Sequence, residues 1–263
     1  MKTAVVTGAA GAIGSAICAR LVARGYTVVA VDIDAAGLAA LPGAVVAVPA
    51  DLSDPAAAPL IAAAVAEQLG RCDLLVNNAG IVVTTPFEHA SPDQLTRELR
   101  VNLETPILLT RALFPMLQER RGHVVSVVSL GGLLPLAQSP GYSASKFGLR
   151  GFLLGLAQRT DETGVRVSIV NPGAVDTPML RHEAATGGSP LNFLGSPMHP
   201  DAVAAAVEMQ LQRPRLETNL PRHDGWLIKT AMLNPGLLTP LRPVLERIAR
   251  PALEKYRRLN GIA

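Results

Sequence analysis

Lys2-Thr-Ala-Val-Val-Thr-Gly-Ala-Ala-Gly-Ala-Ile-Gly14 reads as a buried strand, a glycine-rich turn and the opening of a helix. The strand is apolar with no polar alternation, the pattern of a strand covered on both faces in a parallel sheet. Gly8, Gly11 and Gly14 fall where the chain must turn tightly, where backbone must approach a bound pyrophosphate, and where the helix packs on the strand. The unpaired N–H groups at the start of that helix suit an anion. Three glycines alone would serve an ordinary strand-to-helix turn equally well, so the surroundings decide.

Outward from this stretch, apolar β-type runs near 3–7, 27–32, 44–49, 73–77, 122–128 and 165–170 alternate with helix-period stretches near 12–24, 54–69, 91–119 and 141–162. That alternation predicts an α/β fold, a doubly wound parallel sheet of the Rossmann type, with residues 1–263 as a single domain. Ligands bind such sheets beyond the carboxyl ends of the strands. Past residue 180 the pattern changes. Residues 178–212 read as a substrate lid and a helix: the lid is the loop from Pro178 to Pro200, rich in Gly, Pro and Met from Ala185 on, and the helix runs from about 200 to 212. A last strand is expected near 216–220, and residues 222–263 form an apolar and basic tail.

Of the 263 residues 49% are hydrophobic and 17% charged, ample for a large core and wrong for a disordered chain. The formal charge of +3 comes from scattered arginines, thickening only near the C-terminus, so nucleic acid is excluded as a partner. Cys18 and Cys72 read as buried, reduced thiols, and the first strand begins almost at Met1 with no room for a leader, so a cytoplasmic location is expected. His89, His123, His182, His199 and His223 are dispersed and read as loop or surface residues; no metal site is expected.

Two further features carry chemistry. Asp32 closes the second predicted strand, where an acid accepts both hydroxyls of an adenosine ribose. A 2′-phosphate about 4 Å from that carboxylate meets roughly 4 kcal/mol of repulsion per unit charge at an effective dielectric near 20, and no Arg or Lys at Ala9, Ala10 or Ile33 offsets it. NAD is therefore the expected cofactor, preferred over NADP by more than about a hundredfold. The alternative is that Asp32 merely caps the helix beginning near Asp34. The second feature is Tyr142 and Lys146, four residues apart and so on one face of a helix. Bringing a phenol from a pKa of about 10 to near 7 takes roughly 4 kcal/mol, and one ammonium about 4 Å away supplies a similar gross amount. Lys146 is expected to make Tyr142 an acid/base.

Thr7-Gly8 to Gly14, Asp51-Leu52, Asn77-Asn-Ala-Gly80, Asn102, Ser129, Tyr142, Lys146 and Asn171-Pro-Gly-Ala-Val-Asp-Thr177 resemble, in this order, the motif set of the short-chain dehydrogenase/reductase superfamily, in its single-domain type of about 250 residues. The resemblance runs from residue 1 to about 180. It implies that Asp51 and the Leu52 amide meet the adenine edge, that Asn77 with Ala79 and Gly80 packs on the adenosine and braces the sheet, and that Thr177, with Val175, holds the nicotinamide. It also carries over Ala12, Ile13, Ile33, Asn78, Pro172 and Gly173 as cofactor contacts.

The catalytic set implied is Ser129, Tyr142, Lys146 and Asn102. Tyr142 exchanges a proton with the substrate oxygen, Lys146 also holds the nicotinamide ribose, and Ser129, thirteen residues before the tyrosine, bonds the substrate oxygen. Ser126, Ser139, Ser143 and Ser145 are rivals for that place. Pro106, in the helical run from Pro92 to Gln118, lacks the N–H that would bond the Asn102 carbonyl. The resemblance gives that free carbonyl to a water linking Lys146 to solvent.

Leu133, Leu134, Leu136, Met179, Leu180, Leu191, Phe193, Leu194 and Met198 predict an apolar pocket, so a hydrophobic secondary alcohol or its ketone is the expected substrate, of steroid, terpenoid or lipid-like size. A 3-ketoacyl thioester reductase is the rival enzyme, and a dinucleotide-sensing protein without catalysis the rival class. The helices near 91–119 and 141–162 match the family's dimer faces, with Gly148, Gly151 and Gly155 allowing close approach; a homodimer or homotetramer is expected. In the tail, Trp226 to Leu233 and Leu237 to Leu259 are apolar segments beside Arg242, Arg247, Arg250, Arg257 and Arg258. They read as a cover for the core or an interface in preference to a peripheral membrane contact.

Overall fold

The computed structural model describes residues 2–262, with all their side chains except those of residues 222–224, 226, 227, 237 and 238. The strands are β1 (Lys2–Thr7), β2 (Tyr26–Asp32), β3 (Val45–Pro49), β4 (Leu74–Asn77), β5 (His123–Val127), β6 (Arg166–Pro172) and β7 (Glu217–Leu220). They form one sheet in the order β3-β2-β1-β4-β5-β6-β7, parallel throughout. The order reverses between β1 and β4, the place where ligands bind in doubly wound sheets. This is the doubly wound architecture the alternating pattern predicts.

Because side chains alternate across a strand, each strand feeds two cores. Val5, Val29, Leu75 and Val124 face one way, onto Ile61 and Val65 of α3 (Ala57–Gln68), Leu109 and Leu113 of α5 (Thr105–Glu119) and Leu149 and Leu153 of α6 (Pro140–Ala157). Ala4, Val6, Val28, Leu74 and Val125 face the other way, onto Ile17 and Leu21 of α1 (Ala12–Ala23) and Val203 and Val207 of α9 (Pro200–Gln212).

The predicted helix over 91–119 is two helices. Ser91 and Gln94 form a reciprocal cap that starts α4 (Pro92–Leu99). A π-turn over Arg100–Glu104, in which the Thr105 amide bonds the Arg100 carbonyl, then leads into α5. Pro106 explains the wider turn: it has no N–H for the i−4 carbonyl, and one extra residue in the turn absorbs the break. The run over 141–162 likewise divides into α6 and a single turn, α7 (Thr160–Thr163). A short helix, α2 (Ala35–Ala39), follows β2, where the sequence offers a helix near Asp34 only in the alternative reading of Asp32.

Within 178–200, where a loop is expected, Pro178–Thr186 is helical (α8) and Pro190–Phe193 makes a 3₁₀ turn. The tail is helical too: α10 (Arg222–Ala231), a 3₁₀ turn over Pro235–Leu237, and α11 (Leu238–Leu259). Trp226 and Leu237, singled out in the sequence, lie outside the described side chains. One face of α11 covers the segment after β6, with Leu253 and Tyr256 packed on Leu180, Ala184 and Phe193. No helix among the described residues is long and apolar enough to cross a membrane.

Candidate active site

The turn after β1 is built as the glycines require. Gly8 has φ +63, and a Cβ there would stand 2.8 Å from the Ala79 Cα; a Cβ on Gly14 would stand 1.9 Å from the Gly8 carbonyl oxygen. Asn78 laces this turn to the end of β4, its amide Nδ2 donating to the Thr7 and Gly8 carbonyls at 3.0 and 3.1 Å. The Thr7 hydroxyl accepts the Asn78 and Ala79 amides in return, at 3.1 and 3.2 Å. Helix α1 starts at Ala12 and Ile13 after Gly11 with no side-chain cap. Its first amides are therefore available to an anion, and the close-packed glycines leave room for one to approach.

Asp32, at the end of β2, accepts the Ala10 amide at 3.0 Å and the Asp34 amide at 3.1 Å. It is thus fixed against the glycine turn. The cap of α2 is Asp34, which accepts the Gly37 amide, so the capping alternative for Asp32 does not hold. Ile33 is exposed beside it. Asp51 accepts the amide and hydroxyl of Ser53, both at 2.8 Å, and these bonds hold its carboxyl below the usual range. Leu52 is buried and its carbonyl accepts the Thr105 hydroxyl at 2.7 Å. Asn77 is buried, its Nδ2 within 3.3 Å of Thr110 and 3.4 Å of Ser126, and braces β4 against α5 and β5. Pro172 ends β6, the Gly173 amide donates to Leu220, and Val175 pairs with Met198. Thr177 caps α8, accepting the Leu180 amide and donating to the Val175 carbonyl.

Ser129 and Tyr142 meet at Gly131: a Cβ there would lie 3.1 Å from the tyrosine Cε1 and 3.2 Å from the serine Oγ. The other serines are committed elsewhere. Ser126 takes the Asn77 amide, Ser143 accepts the Leu136 amide at 2.8 Å, and Ser145 donates to the Tyr142 carbonyl at 2.7 Å. Ser139 is buried at the start of α6 without a side-chain cap bond. Lys146 is buried, its Nζ 5.6 Å from the Tyr142 ring centroid. A Cβ on Gly80 would stand 3.3 Å from that Nζ and 3.4 Å from the Asn102 Oδ1, so the ammonium and the amide both pack on Gly80.

The expected electrostatics need correcting. Burial raises the Tyr142 phenol above its ordinary pKa, the Ser129 hydroxyl offsets this in part, and the Glu183 and Glu98 carboxylates add to the rise. Lys146 is itself drawn down to about 8 by burial, with Glu98 opposing. Desolvation of both partners outweighs their mutual attraction, so one ammonium alone does not make the phenol acidic.

Sequence reasoning missed both carboxylates. Glu98, in α4, is 1% exposed, and its Oε1 accepts the Val83 amide at 2.7 Å. The other oxygen lies beneath the catalytic helix, where a Cβ on Gly141 would meet it at 2.5 Å. Glu183, in α8, is pushed up to about 7 by burial and held by Asn192 at 3.0 Å. A charged residue one turn before Asn102, on the buried face of α4, was the available signal for Glu98. Glu183 had none.

Other expectations also change. Leu133, Leu180 and Phe193 are buried, the last two beneath α11, which leaves Leu134, Leu136, Met179, Leu191, Leu194 and Met198 at least partly accessible. His123 is a core residue of β5, bonded to Ser168 at 2.9 Å and pushed down to about 4 by burial; it is not a surface group. His89, His182 and His199 are exposed, and the side chain of His223 lies outside those described. Cys18 and Cys72 are buried and free, each raised to about 12 by burial. Among the described residues no group of three or more His, Cys, Asp or Glu side chains is arranged to hold a metal ion.

With this geometry in place, comparison with known proteins is specific. Residues 2–187 match the description of the family called short chain dehydrogenase. A D-threitol dehydrogenase of Mycolicibacterium smegmatis is 37% identical over 219 residues, 78% of this chain and 84% of that one. A 1-deoxy-11-beta-hydroxypentalenate dehydrogenase of Streptomyces avermitilis is 40% identical over 191 residues, 68% of this chain and 71% of that one. Among solved structures, a metagenomic short-chain oxidoreductase in complex with NADP is 31% identical, with TM-score 0.69 over 83% of this chain and 94% of that one. A Burkholderia phymatum short-chain dehydrogenase/reductase in complex with NAD is alike in fold, at 22% identity and TM-score 0.79 over 90% and 94% of the two chains.

Proposed function

This chain belongs to the short-chain dehydrogenase family, an oxidoreductase family acting on alcohols and ketones, and we propose that it interconverts a hydrophobic secondary alcohol and its ketone with NAD. The observation that carries the reading is the meeting of Ser129, Tyr142 and Lys146 around Gly131 and Gly80, beside the glycine turn at the point where the strand order reverses.

When bound, the nicotinamide supplies or accepts the hydride. The protein's own residues do the rest. The uncapped start of α1 and the turn through Gly8, Gly11 and Gly14 would hold the pyrophosphate, Asp32 the adenosine ribose, Asp51 and Leu52 the adenine, and Val175 and Thr177 the nicotinamide. Ser129 fixes the substrate oxygen, and Tyr142 gives or takes its proton. Lys146, beside the positive charge that an oxidised nicotinamide would bring, would favour the ionised phenol of Tyr142 against the burial that raises its pKa. The Asn102 carbonyl, which Pro106 cannot bond, would hold a water carrying the proton on from Lys146.

Asp32 favours NAD over NADP through its charge, since both of its oxygens are bound to backbone amides and no basic group among the described residues is paired with it. Leu134, Leu136, Met179, Leu191 and Leu194 favour an apolar substrate under a lid formed by residues 178–212. A second reading, a polyol, is favoured by the likeness to a D-threitol dehydrogenase and by the half-buried carboxylate of Glu183. The free thiols of Cys18 and Cys72 accord with a cytoplasmic setting, and the outer face of α6, where a Cβ on Gly151 or Gly155 meets nothing, with a homodimer or homotetramer.

The test is NADH formation against cyclic apolar alcohols, 3-hydroxyacyl thioesters and tetritols, repeated with Tyr142→Phe. The variant should bind NAD unchanged and lose turnover by about a thousandfold or more. Unchanged turnover would remove the mechanism.

A further inference from the structure

Helix α11 has two apolar faces, and only one is used. Ala249 and Leu253 are buried, with Leu253 and Tyr256 against α8 and the 3₁₀ turn after it. A second face carries Leu241, Val244, Ile248, Ala252, Lys255 and Leu259, spaced by threes and fours and therefore aligned along the helix. Leu241, Val244, Ile248 and Leu259 are 51, 56, 63 and 76% exposed. This is a continuous apolar seam about 18 residues long, roughly 27 Å at 1.5 Å per residue.

Its charge surroundings narrow the partner. Besides Lys255 within the seam, Arg247 and Arg258 are exposed along one border. The acidic residues of the helix lie off the seam: Glu246 bonds Gln138 and Arg242, and Glu254, exposed next to the arginine border, lines with Glu246 the cleft between α11 and the Gly187–Pro190 segment. Residues 222–263 carry eight basic and three acidic side chains, a surplus of five, whereas the whole chain carries +3; the remainder is net negative by two. The positive surplus of the protein therefore lies in its C-terminal segment, and three of those basic groups, Arg247, Lys255 and Arg258, adjoin the exposed apolar seam. A second copy docked seam to seam would oppose Lys255 to its counterpart if the helices ran parallel, and the arginine borders to each other if they ran antiparallel; either arrangement sets like charges together.

We propose that α11 is an interfacial helix that seats this protein on an anionic lipid bilayer. The seam enters the boundary between headgroups and acyl chains, and Arg247, Lys255 and Arg258 meet the phosphates. The opposite face, bolted to α8, keeps the catalytic domain attached to the helix.

The full chain should sediment with phosphatidylcholine vesicles containing phosphatidylglycerol, bind those of phosphatidylcholine alone much less, and be released by salt, because surface charges are screened. Ile248→Glu should reduce partitioning at least about tenfold, and Arg247→Glu with Arg258→Glu should abolish the preference for anionic vesicles. The arginine pair, exposed and remote from the site, serves as the independent variant if Ile248→Glu does not fold. Thermal unfolding and NAD binding should be unchanged in both. No sedimentation with anionic vesicles, or equal sedimentation of wild type and variants, overturns the proposal. So does a dimer in analytical ultracentrifugation that Ile248→Glu converts to monomer while wild type ignores vesicles, which would give the seam to a second copy.

Discussion

Asn102 holds Ile81 by both of its backbone groups: Oδ1 accepts the Ile81 amide and Nδ2 donates to the Ile81 carbonyl, each at 2.9 Å. The amide also donates to Ser145 of the catalytic helix at 3.2 Å. One side chain on the π-turn thereby fixes the loop after β4 and the helix carrying Tyr142 and Lys146. The π-turn thus gives Asn102 a structural task. Asn102→Ala would remove the side-chain partners of two partly buried backbone groups of Ile81 and should cost about 1–3 kcal/mol in urea unfolding. A loss under about 1 kcal/mol would mean that water replaces the amide and that the clasp is dispensable.

Cofactor choice rests on the Asp32 charge, which can be removed without removing its shape. Asp32→Asn keeps an oxygen for the Ala10 amide but no longer repels a 2′-phosphate. The ratio of NAD to NADP affinity should fall by at least about tenfold, or 1.4 kcal/mol, in fluorescence titrations. An unchanged ratio would mean that the preference, if any, is set elsewhere.

Glu98 offers a test by pH. Its negative charge favours the protonated forms of both Lys146 and Tyr142, raising each pKa against what the rest of the site sets. Alcohol oxidation needs the ionised phenol, so the acidic limb of the rate profile follows the pKa of the coupled pair. Glu98→Gln keeps an oxygen for the Val83 amide and removes the charge, so the limb should move to lower pH. Movement to higher pH would reverse the sign of the argument, and no movement would make Glu98 a purely structural acceptor for Val83.

The sheet was legible in the sequence because its inner strands are near-continuous apolar runs, a pattern that burial on both faces enforces; all seven strands lie within a few residues of expectation, although the edge strand β7, Glu217–Leu220, is mostly polar. The glycine turn was legible for a related reason, since contacts of 1.9 and 2.8 Å at Gly14 and Gly8 admit no other residue. What escaped depended on tertiary context. Pro106 signalled a broken bond, but sequence does not say whether the helix bends, ends or widens into a π-turn. Tyr142 and Lys146 were found by spacing, whereas their pKa values are governed by desolvation and by Glu98 and Glu183, which come from other elements. Leu180 and Phe193 were assigned to the pocket on polarity alone; which apolar surface they cover was decided by α11, some sixty residues later in the chain.

Helix α11 also reaches the segment that is proposed to hold the nicotinamide. The Tyr256 hydroxyl donates to the Asp176 carboxylate at 2.6 Å, the Tyr256 ring packs on Phe193 with centroids 5.0 Å apart, and the Arg257 Nε donates to the Ala184 carbonyl at 2.7 Å. Asp176 directly precedes Thr177, the cap of α8. Tyr256→Phe keeps the ring contact and removes one charge-assisted hydrogen bond, so the fold should lose only about 1–2 kcal/mol. The lid should loosen more than the fold, because α8 is then tied to α11 by the Arg257 bond and apolar contacts alone. The expected signature is faster amide exchange confined to residues 176–194, together with a higher KM for substrate, while kcat changes less than KM. Exchange that speeds up uniformly over the sheet would show instead that Tyr256 supports the whole domain, and equal exchange in both proteins would show that the hydroxyl contributes nothing to holding α8.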